Sequence, residues 1–178
     1  MTDGKQEALT AIETAIQMEV EGRDFYTKAA ENVSWPEGRE TLLDLANDEM
    51  EHIRILKEEH SALLAGQDWL LADKVAPAIA VGAKTLPVFE KKDSVIAAMI
   101  SDRADAEDVL DVAIRNEYKS HTFYAEQLGK AENPEAKAVF AWLVKEEKRH
   151  QAMLTDYAKY IGAQDEWLLE HERPILEG

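Results

Sequence analysis

Glu49-Met50-Glu51-His52 and Glu147-Lys148-Arg149-His150 are two Glu-x-x-His sets, and the segments around them decide the fold. Around the first, Leu42, Leu45, Glu49, His52 and Leu56 follow one another in steps of three and four, with Leu63 further along. Around the second run Leu143, Glu147, His150, Leu154, Tyr157 and Ile161. Such steps mark one face of an α-helix turned toward a core. In both segments the acid and the imidazole occupy positions where an apolar residue is expected.

Working outward, the chain opens on Thr2 and Asp3 as candidate caps and runs without proline to about Val33, Gly22 being its only interior helix-weakening residue. Ile12, Ala15, Gly22, Tyr26 and Ala30 form its stripe, and Glu19 lies inside it. Ser34-Trp35-Pro36-Glu37 reads as a capping box with proline in the first turn, opening a second helix that reaches about Gly66. From about 66 to 104, Pro77, Gly82 and Pro87 interrupt any long helix, and the Ala/Val/Ile content predicts a packed connection with a short helix at Ser94–Ile100. Asp105 and Asp108 are candidate caps for a third helix, striped by Leu110, Ala113, Glu117, Ser120, Tyr124 and Leu128 and closing at about Gly129. Asn133-Pro134 opens the fourth, which Gly162 is expected to end. The tail 163–178 carries no assignable pattern.

The two halves repeat with a constant offset of 98 residues and no gap: Glu19 falls on Glu117, Tyr26 on Tyr124, Pro36 on Pro134, Leu45 on Leu143, Glu49 on Glu147, His52 on His150 and Leu56 on Leu154. Identity concentrates on the stripe. Two helical hairpins so related, about 5–64 and 105–161, predict an all-α, pseudo-twofold four-helix bundle in one domain spanning 1–178, with a long connection between the second and third helices.

Composition narrows the chemistry. A formal charge of −16 and a pI near 4.7 disfavour nucleic acid and anionic membrane surfaces. The chain has no cysteine, so thiolate catalysis, disulfides and cysteine-held zinc or iron–sulfur centres are excluded, and a metal would fall to His, Asp and Glu. No apolar run approaches the roughly 18–20 residues of a membrane span and no leader pattern opens the chain, which predicts a cytoplasmic protein.

On a helix, residues three apart differ by about 60° around the axis and about 4.5 Å along it. Glu49 with His52, and Glu147 with His150, can therefore each reach one point, while Glu19 and Glu117 approach from the other two helices. Tyr26 and Tyr124 lie two turns beyond those glutamates, where a phenol can bond a ligand carboxylate or a bound oxygen species. The plain alternative is an acidic, solvated helix surface. Against it, only His52 and His150 of the five histidines have glutamate three residues before them, and these two are repeat partners on apolar stripes. Four buried carboxylates would each face a desolvation penalty of several kcal/mol, which two divalent cations would cancel. A metal-free bundle would instead be stabilised by Glu147→Ala.

Glu19 with Phe25-Tyr26, Glu49-x-x-His52, Glu117 with Phe123-Tyr124, and Glu147-x-x-His150 resemble the rubrerythrin-type branch of the ferritin-like superfamily, over roughly residues 5–161. The resemblance implies two iron ions, with Glu49 and Glu147 bridging, Glu19 and Glu117 terminal, and His52 and His150 each on one iron. It also implies a homodimer. Oxygen and imidazole donors by themselves also admit manganese or zinc. Two departures stand out. Rubrerythrins proper carry a cysteine-rich rubredoxin-like domain, so here an external electron-donor protein is implied. They also carry an extra glutamate one turn after the third-helix ligand, where this chain has Ser120. His121, His60 and His171 are read as lying outside the ligand set.

The reading that follows is a di-iron carboxylate oxidoreductase reducing O2 or H2O2, of peroxidase or ferroxidase type. One alternative is an iron-handling ferritin-like protein that oxidises or buffers Fe(II). Another is a di-iron monooxygenase, against which stand the lack of an amphipathic membrane surface for a lipid quinone and the acidity that disfavours tRNA.

Overall fold

The four periodic stretches form four helices: α1 (Asp3–Asn32), α2 (Pro36–Leu64), α3 (Arg103–Lys130) and α4 (Pro134–Glu172). The computed structural model describes the backbone of residues 3–33, 36–70 and 103–172, and the side chains of 4–33, 36, 38–70 and 109–159. The expected capping box at 34–37, the short helix at 94–100 and most of the 66–104 connection lie outside those residues. No helix among the described residues is long and apolar enough to cross a membrane.

Local chemistry explains the well-defined ends. Asn133 caps α4, its side-chain oxygen accepting the Ala136 N–H at 2.9 Å, and Pro134 takes the first helical position where no amide is needed. Gly66 ends α2 with a φ of 83°, a left-handed conformation that spares glycine a Cβ clash. Its neighbours close the helix by Gln67 N–H to Ala62 C=O at 3.0 Å and Gly66 N–H to Leu63 C=O at 3.1 Å. The buried Glu59 carboxylate then accepts the Leu70 N–H at 2.8 Å, fixing the chain as it leaves the helix.

Two boundaries differ from expectation. α4 does not stop at Gly162 but continues to Glu172. A glycine inside a helix costs only about 1 kcal/mol relative to alanine, and Ala163-Gln164-Asp165-Glu166-Trp167-Leu168-Leu169 resumes without a proline. α3 starts at Arg103, so Asp105 and Asp108 lie inside the helix rather than capping it.

α1 packs along α2 and α3 along α4, giving two hairpins. The apolar core is divided. One cluster includes Tyr26, Leu45, Leu110, Ala113 and Leu154, and the other includes Ile12, Ala15, Leu56, Tyr124 and Leu143. Every one of these residues has its repeat partner in the opposite cluster: Ile12 with Leu110, Leu45 with Leu143, Leu56 with Leu154. The pseudo-twofold therefore crosses the bundle axis between the clusters and exchanges its ends. It follows that α2 ends where α3 ends, at the end opposite to where α3 begins. A bundle of this topology needs a long crossover between its hairpins, which accounts for the sequence length between α2 and α3.

Candidate metal centre

The layer between the two apolar clusters is polar. Glu19, Glu49, His52, Glu117, Glu147 and His150 meet there, none exposing more than 2% of its surface. With one carboxylate oxygen or ring nitrogen taken from each residue, they form two groups whose ligand atoms lie within 4.8 Å of one another: Glu19, Glu49, His52 and Glu147 in one, Glu49, Glu117, Glu147 and His150 in the other. Glu49 and Glu147 belong to both groups. The remaining four divide so that each group takes one further glutamate and one histidine.

The rings of His52 and His150 stack with centroids 5.8 Å apart and 22° between their planes. His52 Nδ1 lies 2.9 Å from Glu49 Oε2, 3.1 Å from Glu19 Oε2 and 3.4 Å from Glu147 Oε1. His150 Nδ1 faces Glu117 Oε2 at 3.4 Å and Glu49 Oε1 at 3.7 Å. The tyrosines reach across between hairpins. Tyr26 of α1 donates its hydroxyl to Glu117 of α3, and Tyr124 of α3 donates to Glu19 of α1. Each phenol thus fixes the carboxylate of the other half.

Electrostatics sorts the acids into two kinds. Burial drives the Glu49 and Glu147 carboxyls well above the ordinary range, and the charge of Glu19 adds to the effect on both. Burial would raise Glu19 too, but a hydrogen bond from Glu49 and the His52 charge prevail, and with Tyr124 they hold it at about 2. Glu117 is lowered likewise, burial being outweighed by His150, Glu147 and Tyr26. Burial would depress both histidines, yet the charges of Glu19 and Glu117 raise His52 and His150 respectively. Burial and the surrounding carboxylates push both tyrosines well above their ordinary value, so they remain protonated donors.

The donor set fits a pair of divalent cations. Glu117 Oε2, Glu147 Oε1 and His150 Nδ1 are buried without a hydrogen-bond partner, and all three point into this layer. Unpaired buried lone pairs are costly unless something positive meets them. Oxygen and imidazole donors together suit iron, manganese or zinc.

Four residues that sequence reasoning did not single out surround the cluster. Asp48 Oδ2 lies 3.2 Å from His150 Nε2 and accepts from Arg149 Nη2 at 2.7 Å, while Arg149 Nε donates to Glu146 at 3.0 Å. Trp142 meets His52 edge to face at 5.0 Å. Asp48 and Glu146 are repeat partners, each just before a shared glutamate, and that pairing was the available signal. His121 lies outside both groups, and His60 pairs with Glu13 at 3.0 Å away from the layer. The side chain of His171 falls outside the described residues.

A family profile described as Rubrerythrin matches residues 10–101 and 108–177. No curated protein and no solved structure gives a significant match. With most of its length matched, the chain belongs to the rubrerythrin family.

Proposed function

We propose that this member of the rubrerythrin family holds two iron ions in the polar layer and reduces hydrogen peroxide or dioxygen with electrons from an external donor protein. Glu49 and Glu147 would serve both ions, Glu19 with His52 one of them, and Glu117 with His150 the other. The observation that carries this reading is the six buried donors converging between two apolar clusters, three of them with an atom that no protein group satisfies.

When bound, the iron pair supplies the two electrons that reduction of a peroxide requires, one from each ion. The chain's own residues set the conditions. The apolar clusters exclude bulk water from both sides of the layer, which strengthens every charge interaction inside it. Tyr26 and Tyr124 hold the two unshared glutamates by hydrogen bonds, keeping them oriented while the charge between them changes. Reduction of H2O2 to two waters consumes two electrons and two protons. The 178 residues hold no cysteine and hence no thiol-ligated redox centre, and the electrons are taken to come from a donor outside them. The chain's formal net charge of −16 favours a basic partner and disfavours nucleic acid.

Metal quantification and a peroxide assay together test this. Anaerobic loading should retain two Fe(II) per chain, and one equivalent of H2O2 should be consumed as both become Fe(III). A chain that keeps two irons and leaves peroxide untouched would overturn the peroxidase reading. Uptake of many irons per chain under air would favour iron handling instead.

A further inference from the structure

The two histidines of the layer are covered from outside in different ways. His52 meets the edge of the Trp142 indole, a large apolar group that is itself buried. The repeat puts Asp44 at the place of Trp142, one turn before Asp48 on α2, and over His150 the cover is polar. Asp48 Oδ2 lies 3.2 Å from the outer ring nitrogen of His150, and Arg149 Nη2 lies 3.0 Å from the same nitrogen. That one guanidinium nitrogen also reaches Asp48 at 2.7 Å and Glu146 at 3.0 Å. Side-chain exposure falls along this line from 38% at Asp48 and 30% at Arg149 to 7% at Glu146 and none at His150. The other nitrogen of His150 faces Glu117 and Glu49 inside the layer. A continuous polar route thus joins solvent to the donor set, and Arg149 lies across it.

We propose that metal ions enter and leave the layer past Asp48 and Glu146, and that Arg149 is the gate on that route. This rests on the paired metal site proposed above. A dication gives up its hydration at a high cost, so it crosses a protein surface most easily where carboxylate oxygens replace the water. The indole over His52 offers no such oxygens. Asp48 and Glu146 do, and in the metal-free chain the Arg149 guanidinium occupies them. An incoming ion therefore exchanges with the guanidinium, taking the carboxylates as Arg149 swings outward, and Arg149 returns once the ion has passed inward. The exchange asks for rotation of one partly exposed side chain and no movement of the helices. Arginine suits the task because its rigid fork holds two carboxylates at once in a fixed geometry, which a lysine ammonium does not. The first hairpin does not repeat the gate. Arg149 falls there on Glu51, which pairs with Arg54 at the surface.

Stopped-flow uptake of Co(II) by the full, chelator-stripped chain, and release of bound Co(II) into excess EDTA, test the gate. Arg149→Ala should speed uptake and release alike, each by about fivefold, the factor that one partly exposed ion pair carries. A gate changes both rates and leaves the dissociation constant nearly as it was. A residue acting only through its charge would behave otherwise: its loss makes the region more negative, which speeds uptake and slows release. Arg149→Lys keeps the charge and loses the bridge between two carboxylates, so it too should speed both rates. Trp142→Phe keeps an aromatic cover over His52 and should leave both rates unchanged. Circular dichroism checks that each variant keeps the fold. Unchanged rates in both Arg149 variants, opposite shifts of uptake and release in Arg149→Ala, or faster exchange in Trp142→Phe alone would overturn the gate. The number of Co(II) ions bound per chain reads the paired site separately. One ion, with both rates still raised in the Arg149 variants, would sink the pair and leave the gate standing, whereas two ions with unchanged rates would do the reverse.

Discussion

In the first hairpin the residue before the shared glutamate is Asp48, half exposed, and in the second it is Glu146, buried. Trp142, edge-on to His52, falls on Asp44 in the repeat, and Gly22, beside Glu49, falls on Ser120. Yet Glu19 and Glu117, Tyr26 and Tyr124, and the two Glu-x-x-His sets agree in type and burial, and each tyrosine bonds the glutamate of the other half. Two ions of the same charge, as proposed for this layer, would call for two similar sets of donors, and the inner residues supply them. The residues behind them differ between the halves, and there a single Arg149 bridges both Asp48 and Glu146.

The largest expected effect breaks the symmetry at its centre. Glu147→Ala removes a group common to both donor sets, and should abolish retention of both metals. Glu19→Ala touches one set and should leave one ion bound. Metal analysis of the two variants after gel filtration separates the cases. Equal losses would show that the two sets do not act as halves of one site, and a Glu147→Ala chain that is stabilised while binding metal as before would favour the metal-free bundle.

A pH series tests the layer as a whole. In the metal-free chain Glu49 and Glu147 have carboxyls raised well above 4.5, and His52 and His150 are raised above 6.5. A folded state that holds more protons than the unfolded one loses stability as pH rises, from about 4.5 for the two carboxyls and from about 6.5 for the two imidazoles. Glu19 and Glu117 act oppositely. Glu19, held at about 2, contributes stability above 4.5 that is lost as pH falls toward 2, and Glu117 is lowered in the same sense. The metal-free chain should therefore unfold at a higher temperature near pH 5 than near pH 8. Two divalent ions would displace the two carboxyl and two imidazole protons, so loading should release up to about four protons and tighten as pH rises. Thermal melts with chelator and with metal check both signs, each kcal/mol appearing as a shift of about 2–4 °C. A metal-free chain that melts higher at pH 8 breaks the assignment.

Much of this centre was legible because the inner layer obeys two periodicities together, the helical step and the 98-residue repeat. Glu49 or His52 alone is an ordinary polar residue in an acidic chain. Its repeat partner on a second apolar stripe makes burial the better reading, and the same logic placed Leu45, Leu56 and both tyrosines. Which carboxylate each tyrosine reaches was not legible, since the crossing from Tyr26 to Glu117 depends on how the hairpins face each other. Arg149 and Trp142 lay beyond reach for a related reason: they break the repeat, falling on Glu51 and Asp44, while the pairing of Asp48 with Glu146 is a faint signal in so acidic a chain. The end of α4 was misread because glycine weakens a helix without ending it, and the residues after Gly162 favour helix.

The tyrosines sharpen the comparison at smaller scale. Tyr26→Phe and Tyr124→Phe each remove one buried hydrogen bond to a carboxylate and leave the rest of the ring in place. Each should destabilise the metal-free fold by about 1–3 kcal/mol. Because the two tyrosine bonds are repeat equivalents, the two losses should match within about 1 kcal/mol, the spread of a buried hydrogen bond's contribution. Chemical denaturation of both variants measures this, and a clear inequality would mean that the asymmetry behind His150 reaches the carboxylates.

Gly22 gives the smallest effect and isolates the outer difference most cleanly. A Cβ at this position would meet Glu49 Cγ at 3.7 Å and its carboxylate carbon and Oε1 at 3.8 Å, ordinary van der Waals contact that asks nothing to move. The residue lies within α1 and is not among the positive-φ glycines, so alanine is conformationally free there. Gly22→Ala should then raise stability by about 0.5–1 kcal/mol from helix propensity alone, leaving two metals bound. Gly22→Ser copies the residue at the repeat position and should be tolerated in the same way. If either variant weakens metal binding, the open flank of Glu49 is needed for that carboxylate to move as ions enter, and the glycine belongs to the centre rather than to the helix that carries it.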